Sequence, residues 1–435
     1  MSARNRELIG LVPASVLLAA GFAAIFIQRE KELSNVSLLY GAAFLGLCLA
    51  AHVVLRMTLP YADPYLLPIA ATLSAFGLVM IYRINETLAR QQAQWFVVGL
   101  TAFVVTILWL RDYRVLERYR YTIAVVGVVL LLTPRLPGIG QQVNGAYLNL
   151  KLGPIAFQPA ELAKIAIVVF LASYLRDTRQ VLVLGARRFL GVTLPPLKHF
   201  GPLVVVWGAA MLMLIFTREL GTSLMFYGAF LAMLYIATNR LSFVTVGLAL
   251  FTAGGWYLAN HVGHVHDRIQ AWQHPFDPHL YDQVGGSYQL AQGLFAQADG
   301  GMFGTGFAQS LLDLPGGGTI IPVPESDFIY AVITNELGLV GACALILVYL
   351  LFIARGFKIA IAARDSFSTL LAAGLSVILA LQVFIIIGGV TRVIPLTGVT
   401  LPFVSYGGSS IVMNLVLLAL LLLISDRARR PRGLA

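Results

Sequence analysis

The chain has 435 residues, of which 58% are hydrophobic and only 11% charged, with a mean hydropathy of +0.82. A soluble globule carries about 25% charged residues, so this composition excludes one and requires a protein that crosses a membrane several times. The net charge of +10 does not point to nucleic acid, because the basic residues are spread over short gaps between apolar runs and follow topology instead.

Hydropathy predicts about twelve spans, at 8–27, 38–55, 66–82, 95–110, 121–133, 161–175, 202–216, 220–237, 241–259, 327–354, 367–390 and 403–424. The runs lack the strict alternation of barrel strands, so the expected fold class is an all-α polytopic membrane protein with one large extracytoplasmic loop. The first span has no small-residue cleavage site followed by a polar mature domain, which predicts a retained helix. The step Met57-Thr-Leu-Pro-Tyr-Ala-Asp-Pro64 sets the first two spans apart. The expected organisation is therefore an additional helix pair over 1–62, a core over 63–425 that contains the loop 260–326, and a basic tail over 426–435. Cys48 and Cys343 lie inside apolar runs and imply no disulfide framework. With the N-terminus inside, roughly 20 of the 30 basic residues fall on the cytoplasmic side and about 9 outside. The tail then returns inside, and the 260–326 loop faces outward.

Several polar groups sit where a bilayer makes them costly. Glu161 and Lys164 open the sixth span, share a helix face at a spacing of three, and can form a structural salt bridge or line a pathway. Arg218 and Glu219 stand in a tight outward hairpin, as solvated turn charges or as substrate contacts. The loop that follows carries His261, His264, His266 and Asp267, Asp277-Pro278, Tyr288-Gln289 and the glycines of 300–306. The histidines lack the spacing of a zinc site, and no metal-binding, Walker A or dinucleotide motif is present. Asp327 closes the loop at the mouth of the tenth span, where Ser326 is a good N-cap type and an acidic group suits the helix dipole. It is either a cap or a proton acceptor for a substrate arriving from outside. Glu336, nine residues on, lies about 13 Å deeper and half a turn round, so it needs a partner other than Asp327. Ala331, Thr334 and Gly338 form a small-residue row on the Asp327 face, suited to close packing. Ser405, Ser409, Ser410 and Asn414 form hydroxyl and amide stripes in the last span.

Taken together, Phe157-Gln-Pro-Ala-Glu-Leu-Ala-Lys164, Glu219-Leu-Gly-Thr222, Asp277-Pro278, Ser287-Tyr-Gln289, the 300–306 glycines, Ser326-Asp-Phe-Ile329, Glu336-Leu-Gly338 and Gly398-Val-Thr-Leu-Pro-Phe-Val-Ser-Tyr-Gly-Gly-Ser-Ser410 occur in the order found in one family. Over residues 63–425 the chain resembles the SEDS glycosyltransferases FtsW, RodA and SpoVE, most of all the RodA branch. The resemblance implies a ten-span core, which with the two additional spans gives the expected twelve. It also implies polymerisation of lipid II into glycan strands outside the bacterial cytoplasmic membrane, in elongation and cell shape or in division. The partners it implies are a class B penicillin-binding protein, other elongation or division proteins, lipid II and membrane lipids, with no nucleic acid. The family's essential aspartate matches Asp327, and its charged pair matches Glu161 and Lys164. Departures from the family pattern place Glu325 before Ser326-Asp327, Glu219 where aspartate is usual, and Asn335 before Glu336.

The chemistry that follows from this likeness is glycosyl transfer with inversion, Asp327 acting as general base on the acceptor hydroxyl. The departing diphosphate requires positive charge from Lys164, Arg218, Arg268 or Arg392, or from a divalent cation, with no tightly bound cofactor expected. Further substrate contacts are expected from Glu161, Glu219, Tyr288, Gln289, Glu325, Ser326, Ser405 and Ser409. A lipid II flippase and a non-catalytic scaffold for a cell-wall synthase are the competing readings.

Overall fold

The computed structural model describes residues 2–431 except 31–34, 144–145, 153–154, 185–186, 190–191, 195–200, 202–207, 210–211, 213–218, 284–285 and 312–318. Its helices in chain order are α1 (Ala3–Glu30), α2 (Asn35–Thr58), α3 (Leu66–Ile84), α4 (Glu86–Trp109), α5 (Val115–Arg118), α6 (Arg120–Leu132), α7 (Pro159–Leu184), α8 (Leu220–Thr238) and α9 (Leu241–His261). They continue with α10 (Gly263–Gln273), α11 (Pro278–Tyr281), α12 (Tyr288–Gly300), α13 (Ile329–Ala362), α14 (Ser366–Val390) and α15 (Gly408–Arg429). Among the described residues, 9 of these helices are long and apolar enough to cross a membrane. The expected spans at 121–133 and 161–175 correspond to α6 and α7. At 13 residues α6 reaches only about 20 Å, short of a ~30 Å hydrocarbon core. The expected span at 202–216 lies mostly outside the described residues.

The chain divides into two compact units. The first comprises Met1–Val104, Ala259–Arg355 and Gln382–Leu418. Here α1 lies against α3 where glycines remove the side chains between them: a Cβ at Gly10 would stand 2.9 Å from Pro68, and one at Gly21 2.6 Å from Val79. Small residues allow this approach in lipid, where packing rather than hydrophobicity drives association. A buried charged group fastens the same helices at one end. Arg4 donates to the Ala62 carbonyl and pairs with Glu7, whose other oxygen is 2.6 Å from His52 Nδ1. The neighbouring Asp63 is fully buried and lies 3.6 Å from Arg355.

The second unit comprises Val105–Leu258, Gly356–Leu381 and Ala419–Ala435. Its α6 packs on α7, with Gly127 against Ala166. Between the two runs a small antiparallel sheet in the order β1 (Gly140–Val143), β2 (Ala146–Leu152), β3 (Ile155–Phe157), with Leu150 opposite both Gly140 and Phe157. A two-stranded ribbon, β4 (Arg187–Phe189) and β5 (Val192–Leu194), follows α7. The architecture is mainly helical, as the composition requires, and the sheet is an addition to it. Its third strand ends at Phe157 and so delivers Gln158 and Pro159 directly to the start of α7.

Candidate active site

In the first unit the site is built around a break in α13. Gly338 has φ 67° and ψ −171°, so the 34-residue run is two helices, 329–337 and 339–362. The backbone groups released by the break bond to the glycine-rich stretch. Thr305 N donates to Asn335 O (2.9 Å) and Gly306 N to Glu336 O (3.2 Å), while Leu339 N donates to Gly301 O (2.9 Å) and Val340 N to Met302 O (3.1 Å). Irregular backbone at membrane depth survives only where protein satisfies it in this way. The glycines are needed for the approach: a Cβ at Gly300 would lie 2.2 Å from Thr334 O, and one at Gly304 2.1 Å from Glu336 O. Gly338, read from sequence as part of a packing row, is thus the point where a loop enters the helix.

Glu336 is fully buried beside the break and finds the partner its position demands. Arg83 Nε of α3 stands 3.3 Å from its Oε1, Ser310 Oγ donates to the same oxygen (2.5 Å), and Ala308 N donates to Oε2 (2.9 Å). Arg83 also donates to the Ser310 carbonyl (2.8 Å).

Asp327 sits in a turn before this short helix. The helix starts at Ile329, two residues later than expected, and the Ser326 hydroxyl faces the Val323 carbonyl (3.5 Å) and the Asp327 carboxylate, so no cap forms at the expected place. The turn is held from three sides. Gln289 Nε2 donates to Pro322 O (2.7 Å), Tyr406 N to Glu325 O (2.9 Å), and Ser405 Oγ to Ser326 O (2.6 Å). Behind it, the fully buried Phe328 ring occupies space that Gly293 of α12 leaves open. Gly398, at φ +73°, comes so close that a Cβ there would be 3.4 Å from Asp327 Oδ2. Burial pushes the Asp327 carboxyl up to about 6; the Ser326 hydrogen bond and the Arg268 charge pull it down, and Glu325 adds to the rise. A carboxylate raised this far stays ionised at neutral pH while gaining proton affinity, which suits a base.

The other expected contacts have separate tasks. Arg268, on α10, interacts with Asp327 and reaches the Leu396 and Thr397 carbonyls only at 3.5 Å. Arg392 donates from Nε to Trp272 O (2.9 Å) and from Nη2 to Gln273 O (2.8 Å), closing the C-terminal end of α10. It also lines an open groove of about 820 Å³ with Trp272, Phe276 and Leu294. Tyr288 meets Tyr281 edge-on at 5.0 Å. Ser405 spends its hydroxyl on backbone and lies in the turn before α15, while Ser409 is buried in the first turn of that helix. Asp277 caps α11, accepting from His279 N (2.9 Å). The expected loop thus contains three helices, and the histidines stand at the end of α9 and on α10. The described residues gather no set of three or more His, Cys, Asp or Glu side chains able to hold a metal ion.

The second unit holds the remaining charges. Lys164 is fully buried with its Nζ 2.6 Å from Glu161 Oε2, and Gln158 Nε2 donates to Glu219 Oε1 (2.9 Å). Burial raises the Glu219 carboxyl to about 7, Gln158 lowers it, and the Glu161 charge raises it further. Arg218 lies outside the described residues. Removing one partner of a buried pair strands the other, at a cost of about 3–5 kcal/mol. Lys164→Met is therefore expected to lower the melting temperature and the amount of protein in the membrane. Unchanged thermal stability of the purified variant would free Lys164 for a role in substrate binding. Sequence alone gives Gln158 and Gly398 no role beyond their motifs and does not mark Arg83 at all. Gln158 lies within a family motif, whereas Arg83 has no local pattern that pairs it with Glu336.

Residues 64–430 match the family described as "Cell cycle protein", that of FtsW, RodA and SpoVE. The peptidoglycan glycosyltransferase RodA of Mycobacterium leprae is 42% identical over 98% of this chain and 91% of its own length. Stage V sporulation protein E of Bacillus subtilis is 29% identical over 86% of this chain and 100% of its own. In fold, the chain is similar to a component of a peptidoglycan synthase complex that coordinates polymerization and crosslinking, with a TM-score of 0.66, 24% identity, and coverage of 85% of this chain and 98% of that one.

Proposed function

The chain belongs to the FtsW/RodA/SpoVE family, and from that premise we propose that it is a multi-pass peptidoglycan glycosyltransferase polymerising lipid II on the outer face of the bacterial cytoplasmic membrane. Both termini lie in the cytoplasm, which the basic tail supports. The acceptor hydroxyl oxygen attacks the anomeric carbon of the donor sugar. The bond from that carbon to the lipid diphosphate breaks with its electron pair leaving on the diphosphate, and Asp327 takes the hydroxyl proton. Attack opposite the leaving group inverts the anomeric centre. The observation that carries this reading is the Asp327 carboxylate itself, of raised proton affinity, set in a turn whose Pro322, Glu325 and Ser326 carbonyls are held by neighbouring segments, and interacting with Arg268.

Arg268 is the cation best placed in the first unit to meet negative charge on the donor, since Arg392 already serves two carbonyls. Among the described residues no three His, Cys, Asp or Glu side chains gather to hold a metal ion, so the positive charge named here is that of the protein's own cations. Glu161, Lys164 and Glu219 contribute a second charged cluster; Tyr288, Gln289, Glu325, Ser326, Ser405 and Ser409 position the loop and turn segments. The partner is a class B penicillin-binding protein, with other elongation or division proteins around it.

A lipid II flippase is the second reading, because broken helices mark many transporters. Here, however, the groups freed at Gly338 bond to the 301–306 loop, which supports a fixed site over a moving one. Purified protein given lipid II in detergent, with its transpeptidase partner, should yield glycan polymer; lipid scrambling in vesicles without polymer would favour the flippase, and neither activity the scaffold. The pH dependence has a definite sign. Below about pH 6 Asp327 carries the proton and cannot accept another, so polymerisation should fall on acidification through that value. A rate flat from pH 7 to pH 4.5 would contradict the assignment.

A further inference from the structure

We propose that Glu336 and Arg83 are positioning residues for this transfer: their ion pair locks residues 301–310 into the break of α13 and thereby sets where the Asp327 carboxylate stands. The inference rests on the glycosyltransferase reading and deepens it. Residues 329–337 form a rod of about 13 Å with Asp327 just beyond its upper end. That end is clamped through the Ser326 and Glu325 carbonyls. Along its length the rod lies on α12, where Asn335 Nδ2 donates to Ala296 O (2.7 Å) and Phe328 fills the gap at Gly293. Its lower end terminates at Gly338, where the helix has no continuous hydrogen-bond ladder to hold it.

Beside the backbone bonds to residues 301–306, what holds that end is the Glu336 carboxylate. It collects Arg83, the Ser310 hydroxyl and the Ala308 amide, tying α3, the 301–310 strand of loop and the rod to one point with no exposed surface. A buried carboxylate is costly and contributes little net stability compared with an apolar replacement. It does impose direction: three donors from two segments fix the orientation of the rod, which apolar packing alone leaves free to slide. A shift at the lower end pivots the rod about its upper clamps and moves Asp327 relative to Arg268 and Gly398. A displacement of about 1 Å at a reacting group costs up to ~100-fold in rate.

The test uses the full-length protein with its transpeptidase partner and lipid II. Glu336→Gln, which keeps shape but removes the charge, should lower kcat about 10–100-fold while KM stays within about twofold. It should also displace the acid limb of the pH profile, and Glu336→Asp should recover part of the loss. Because the two residues act as one unit, Arg83→Gln combined with Glu336→Gln should be no worse than the poorer single variant. Normal kcat per folded molecule with an unmoved pH profile in Glu336→Gln would overturn the proposal. Should that variant fail to accumulate, Arg83→Gln reads the same pair, and failure of both to fold would make the pair purely structural and overturn it too. A wild-type protein that makes no polymer under these conditions would remove the underlying functional reading instead.

Discussion

Asp327→Asn is expected to lower lipid II polymerisation by about 10²–10⁴-fold while leaving the protein folded and in the membrane. The amide has the shape of the carboxylate and can keep the Ser326 hydrogen bond, and the turn is held by backbone carbonyls that the substitution does not touch. What is lost is the proton acceptor, together with the negative charge facing Arg268. The residual rate should no longer fall on acidification through about pH 6, because the titrating group is gone. Asp327→Glu should not restore full activity. Its extra methylene carries the carboxylate away from the position it holds beside Ser326 and Arg268, and misplacing a reacting group by about 1 Å costs up to ~100-fold. Near-normal polymer yield from labelled lipid II with the asparagine variant would remove Asp327 from the base role.

How far sequence reaches is visible in these same residues. The spans are legible because a ~30 Å apolar layer imposes length and composition directly. Asp327 draws notice in the sequence because it stands, two residues after Glu325, where a polar loop gives way to an apolar run. The break at Gly338 is not: a glycine within a hydrophobic stretch reads equally as close helix packing, and what enters the break comes from residues 301–306, outside any local window. The partner of Glu336 is hidden for the same reason, although burial arithmetic already demands one. The stretch 260–326 stands out as a loop because it is too polar for the bilayer core, yet Leu290, Ala291 and Leu294 repeat at helical spacing and mark α12. The sheet at 140–157 was also within reach. Leu148, Leu150 and Leu152 alternate with Tyr147, Asn149 and Lys151 along β2, a period of two that marks a strand within a sequence dominated by helices. Ser405 and Arg392 show another limit: local sequence does not tell which carbonyls their donors meet, here those of Ser326, Trp272 and Gln273.

The break itself makes the largest stability prediction. Gly338→Val should prevent accumulation of folded protein. A side chain at φ 67° and ψ −171° costs about 1–3 kcal/mol from the backbone alone. Its Cβ would lie 2.3 Å from Gly304 N and 2.4 Å from Met302 O, both backbone atoms that cannot rotate away. Relief therefore requires the loop to withdraw, which leaves the amides of Leu339, Val340 and Thr305 without acceptors at about 1–3 kcal/mol each. Together these come to about 4–12 kcal/mol, comparable with the whole stability of a typical protein. Gly46→Ala in α2 is the matched control: no atom lies within 4 Å of the added Cβ, and exchanging glycine for alanine in a helix favours the fold by up to ~1 kcal/mol. Thermal unfolding of detergent-purified variants, monitored by size exclusion, should separate the two. A well-folded Gly338→Val protein with normal melting would mean that α13 can run straight through the break, and Glu336 would then have nothing to hold in place.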